Sequence, residues 1–73
     1  MKYGIWCQYN DPILSDCWAL PGLVKDIIKF GDVSFKDKDG KFYTNDINMA
    51  YQYMEYLISY HNEPKWVFEV KEK

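Results

Sequence analysis

The spacing of hydrophobic positions changes several times along this chain, and each change marks an element. From residue 2 to residue 9, Tyr3, Ile5, Cys7 and Tyr9 alternate with Lys2, Gly4, Trp6 and Gln8. Because the stretch is rich in strand formers, this period of two predicts a first strand. Asn10-Asp11-Pro12 follows as a turn signal, since Asn and Asp favour turn starts and Pro presets the next φ angle. Residues 13–19 carry no clean period, with Cys17-Trp18-Ala19 compatible with a short strand. Leu20, Leu23, Val24, Ile27 and Ile28 then take helical spacing between Pro21 and the stop signal Gly31. A short helix over 21–30 is expected, but its β-branched residues leave helix and strand both open across 13–30.

Residues 33–44 read as a hairpin around Asp39-Gly40, a pair that tolerates the positive φ angles of a two-residue type I′ loop. With Lys38 opposite Lys41, Asp37 opposite Phe42 and Phe35 opposite Thr44, the register puts Val33, Phe35 and Phe42 on one face. Ser34, Lys36, Lys38, Lys41 and Tyr43 fall on the other. A long helix then runs to Asn62 and Pro64, with Thr44 as its cap, Asp46 near the positive end of its dipole and His61 at the opposite end. Residues 65–71 alternate again, Trp66, Phe68 and Val70 inward and Val67 and Glu69 outward. The order predicts a single compact α+β domain spanning 1–73, a small, mostly antiparallel sheet of 3–4 strands packed against one long C-terminal helix.

The long helix is unusual in what it leaves over. At about 100° per residue, Ile47, Ala50, Tyr51, Met54, Leu57 and Ile58 share one stripe, and Met49, Tyr53, Tyr56 and Tyr60 share a second. One stripe is expected to face the core. The other, three tyrosines and a Met beside the acid Glu55, has the composition of a protein contact surface, so Met49, Tyr53, Glu55, Tyr56 and Tyr60 are the candidate partner-binding residues. The competing reading has the tyrosines covering Trp18 or the 20–30 segment with their hydroxyls left wet.

Composition narrows the field. A chain of 73 residues buries only about 60% of its unfolded surface, and this one offsets small size with 19% aromatic and 48% hydrophobic residues. Its formal charge is -2 and it has no Arg, which gives no electrostatic footprint for nucleic acid and removes the usual bidentate reader of guanine and phosphate. Lys36, Lys38, Lys41 and Tyr43 remain the alternative nucleic-acid-binding set, a basic strip with one stacking ring, although Asp37 and Asp39 interleave it. Two cysteines are too few for a disulfide scaffold, so Cys7 and Cys17 read as reduced thiols. No apolar run has the length of a membrane span, and a cytoplasmic location is expected.

No motif assembles a catalytic or metal site. The only soft ligands are two Cys and one His, with neither a C-x-x-C nor a His pair. Asp37-Lys38-Asp39-Gly40 resembles the start of a calcium loop, but Lys41 and Asn48 stand where the fifth and twelfth ligands are needed. A lone His61 in a last helical turn serves the dipole and solvent more often than catalysis. No catalytic residue, cofactor or metal is therefore expected.

Lys2-Tyr3-x-Ile5-Trp6 at the start, a Thr44-led helix containing Ala50, and Val67-Phe68-Glu69-Val70 near the end carry a family resemblance. Together they resemble small phage- and prophage-encoded accessory proteins, which read as strand, hairpin, helix and closing strand. The resemblance implies a non-enzymatic protein that binds and disables a bacterial host or defence protein, as anti-CRISPR and other anti-defence inhibitors do. A homodimer joined by the tyrosine stripe is the expectation that needs no foreign partner.

Overall fold

The computed structural model describes residues 1–21 and 36–73. Within them lie β1 (Tyr3–Gln8), β2 (Cys17–Trp18), α1 (Ile47–His61) and β3 (Val67–Glu72). The architecture is α+β, a three-stranded sheet of order β2-β1-β3 with α1 against it, and both strand pairings are antiparallel. Residues 22–30 of the helix expected over 21–30, and the outer hairpin residues 33–35, lie outside the described residues.

The period-two reading of β1 and β3 holds. Ile5 and Cys7 point into the core, joined by Ala19, Phe42, Ala50, Tyr53 and Leu57, with Tyr3, Tyr9, Phe68 and Val70 packed around them. On the outer face Trp6 and Trp18 meet edge to face at 5.1 Å, and the Lys73 ammonium lies 4.8 Å from the Trp18 ring centre. Gly4 is required beneath this layer. A Cβ there would stand 2.6 Å from Lys73 Cδ and 2.9 Å from Trp18 Cε3, closer than side chains pack.

Two local expectations change. The hairpin pairs Lys36 with Phe42, and the Gly40 amide donates to the Asp37 carbonyl at 3.0 Å while Gly40 takes φ +79°. The loop is thus three residues long, a turn closed by one left-handed glycine, and it replaces the expected two-residue loop and shifts the register. Asp37 explains the preference: its carboxylate accepts the Asp39 and Lys41 amides, both at 2.9 Å, and organises the turn from inside.

The cap of α1 also moves two residues along. Asp46, in extended conformation, accepts the Asn48 amide at 2.9 Å, whereas Thr44 is buried, bridges Tyr3 of β1 and accepts the Asp46 amide at 3.1 Å. Thr44 therefore positions the cap without being it. The helix ends where its stop signals predict, with Asn62 at φ 46° and its amide bonded to the Ile58 carbonyl.

Candidate functional site

Helix α1 docks on the seam between its two apolar stripes. Ala50 and Leu57 are buried from the first stripe and Tyr53 from the second, while Ile47, Tyr51 and Ile58 of the first stripe stand exposed. This corrects the sequence reading on both sides. Tyr53, a candidate contact residue, is 0% exposed; its ring lies 4.4 Å from Phe42 and its hydroxyl donates to the Leu20 carbonyl at 2.5 Å. Met49 is half-buried against the core near Thr44. Of the candidate set, Glu55 and Tyr60 are exposed and Tyr56 is half-buried.

What the seam leaves at the surface is a run of rings. Tyr56 stacks on Tyr60 at 5.8 Å, Tyr60 meets His61 at 5.2 Å, and His61 contacts Trp66 at 5.0 Å and Phe68 at 5.8 Å. Trp66 in turn meets Tyr9 at 5.0 Å, so the run crosses from the helix to the chain just past β1. The i, i+4 spacing of Tyr56 and Tyr60 makes the stack, and the left-handed Asn62 turns the chain so that Trp66 comes back under His61.

Beside His61 the rings border a cavity of about 340 Å³ between α1 and β2, lined among others by Cys7, Tyr9, Cys17, Leu20, Lys41 and His61. Cys7 and Cys17 stand opposite each other in the β1–β2 ladder, both as free thiols, and the Tyr9 hydroxyl lies 3.6 Å from Cys17 Sγ. Burial pushes the Cys7 thiol up to about 11, against the weaker opposing effect of its hydrogen bond with Tyr9. Burial also raises the Tyr9 phenol, helped by its contact with Cys17. Around neutral pH the Cys7 and Tyr9 side chains at this wall are thus uncharged, and the cavity suits an apolar group more than an ion.

The lysine strip does not assemble. Lys36 pairs with Phe42, Lys38 sits at the exposed turn, Lys41 lines the cavity, and Tyr43 lies under the Lys2 ammonium at 4.9 Å. The one-residue register shift separates side chains that the two-residue loop would have aligned. Nearby, Asp37 is ion-paired with Lys73, so part of the local basic charge is already neutralised. Among the described residues no group of three His, Cys, Asp or Glu could hold a metal ion, and no helix is long and apolar enough to cross a membrane.

The cavity was not visible as a motif because its residues come from four separate stretches of chain. Its only sequence signal is the alternation that put Cys7 and Tyr9 on one side of β1. Comparisons of the chain with protein-family models, curated proteins and solved structures return no match.

Proposed function

We propose that this chain is a non-enzymatic, phage-type inhibitor that binds a bacterial host or defence protein through the Tyr56-Tyr60-His61 rings and the cavity beside them. The observation that carries the proposal is Tyr60, which is 58% exposed yet stacked on Tyr56. A rigid, ordered aromatic at the surface loses little conformational entropy on association and is the usual anchor of a protein interface. The adjoining apolar cavity gives a partner side chain somewhere to insert. Glu55 is exposed on the same helix, and the chain is net acidic, which favours a target surface that combines basic and apolar residues, such as the nucleic-acid-binding face of a nuclease. The bacterial origin of the target rests on the phage resemblance.

The test is a plaque assay in bacteria that carry a defence system and express this chain. Wild type should restore phage infection against at least one system, and Tyr60→Ala should lose the effect while Tyr51→Ala, on the opposite flank of α1, keeps it. Binding to the purified effector should weaken at least about tenfold in Tyr60→Ala, or about 1.4 kcal/mol, with unchanged thermal stability. Equal activity of all three proteins would overturn the ring surface. Salt-sensitive binding to a generic oligonucleotide, lost in a Lys36, Lys38, Lys41 triple Ala variant, would point instead to a nucleic-acid module.

A further inference from the structure

Among the described residues, the backbone of β3 is addressed on one side only. The Lys73 amide bonds to the Lys2 carbonyl, and the β1–β3 register pairs Gly4 with Lys71, Trp6 with Glu69 and Gln8 with Val67. Since hydrogen-bonded pairs alternate in an antiparallel ladder, Val67, Glu69, Lys71 and Lys73 turn their N–H and C=O groups toward β1. Phe68, Val70 and Glu72 turn theirs outward. The same parity appears across the sheet, where Tyr3 and Ile5 of β1 use the opposite edge for Thr44 and Ala19. β3 pairs only with β1 among the described residues, and none of them offers a strand to the outward groups along this edge.

We propose that this edge pairs with the β3 edge of a second copy of the chain, antiparallel and centred on Val70, to make one continuous sheet through a twofold homodimer. The charge pattern selects both occupant and register. An antiparallel pair centred on Val70 places Glu69 opposite the partner subunit's Lys71 and Lys71 opposite the partner subunit's Glu69, and it matches outward Phe68 with the partner subunit's Glu72. Centring on Glu69 would set carboxylate against carboxylate, and centring on Lys71 would set ammonium against ammonium. Charged side chains and prolines guard an edge strand against pairing, most effectively where the charges brought opposite each other are alike. This one alternates sign at i and i+2, and Glu69 and Lys71 already lie side by side on the exposed face at 4.0 Å.

A second observation points to the same edge. Leu57 and Tyr53 line the cavity toward β2, whereas Ile58 lines an open groove of about 660 Å³ with Trp66, Val67 and Phe68 at the start of β3. Ile58 therefore marks the flank of α1 that faces the β3 side. Exposed Ile47 and Tyr51 share that flank by helical spacing. Pairing about Val70 puts both helices on one face of the joined sheet and brings these two apolar rows toward each other, which adds hydrophobic burial to the backbone bonds.

Sedimentation velocity of the full chain from micromolar to millimolar concentration tests the proposal. Wild type should self-associate to a dimer. Glu69→Lys and Lys71→Glu should each weaken it about tenfold or more, because each sets like charges opposite, and the Glu69→Lys/Lys71→Glu double variant should restore it. Circular dichroism checks that each variant folds. Independently of any variant, amide exchange in wild type should show Phe68, Val70 and Glu72 protected in concentrated solution and unprotected on dilution. A wild type that stays monomeric at millimolar concentration, outward amides that exchange freely there, or a folded double variant that fails to recover association would each overturn it.

Discussion

The Tyr53 hydroxyl donates to the Leu20 carbonyl, fastening the middle of α1 to the chain just past β2. Because the ring is also fully buried against Phe42, the two halves of this side chain separate experimentally. Tyr53→Phe keeps the packing and leaves the carbonyl without this donor, which should cost about 1–3 kcal/mol, while Tyr53→Ala adds a cavity and should cost about 3–5 kcal/mol. Urea unfolding of both variants measures the difference. Similar stability for Tyr53→Ala and wild type would return Tyr53 to the surface.

Gly40 closes the hairpin at φ +79°, a conformation that a β-branched side chain adopts only under strain. Gly40→Val should destabilise the domain by about 1–3 kcal/mol, and Gly40→Asn, which tolerates the left-handed region, by less. The ordering of the two melting temperatures is the readout. A cost independent of side chain would mean that the turn does not need the glycine's φ.

The Lys73 ammonium, with help from the Lys41 and Asp39 amides, holds the Asp37 carboxyl down to about 2. A carboxyl whose folded pKa is depressed contributes stability above its unfolded value near 3.8, and that contribution is lost as pH falls through about 2. An NMR titration should place the Asp37 midpoint well below the ordinary carboxyl value of 3.8. Lys73→Ala should move it back up, and an unmoved midpoint would assign the shift to the backbone amides alone.

For Cys7 the sign is reversed. Burial raises its thiol from 9.0 to about 11, so the folded state holds the proton more tightly and its stabilising contribution is intact below pH 9 and lost as pH climbs through about 11. Stability should therefore fall across that window in wild type and fall less in Cys7→Ala. Iodoacetamide at neutral pH should modify half-buried Cys17 first and reach Cys7 only on unfolding. Equal rates at the two thiols would contradict the buried placement.

Strands β1 and β3 and the end of α1 were legible because each depends on local signals: a period of two, or an Asn followed by Pro. The core face of α1 was not, since apolar residues cover most of its circumference and no local rule says where the sheet will touch. Docking on the seam buried Ala50, Tyr53 and Leu57 together and exposed Ile58, which spacing alone had grouped with Leu57. The hairpin shows a subtler ambiguity. Asp39-Gly40 is equally good chemistry for a two-residue or a three-residue loop, and the deciding group is the Asp37 carboxylate two positions earlier. The cavity near His61 needed residues from four stretches to be placed at once, which no spacing can announce.

The outer-face contact between Trp6 and Trp18 gives the domain an optical signature of its own. Two indoles held edge to face at 5.1 Å couple their electronic transitions, and the resulting dichroism exists only while β1 and β2 are aligned. Trp66 sits in a different setting, at the end of α1, where its ring meets Tyr9 and His61 at 5.0 Å each. The dichroism of the coupled pair and the emission of Trp66 can therefore follow the sheet and the helix terminus separately, without any label.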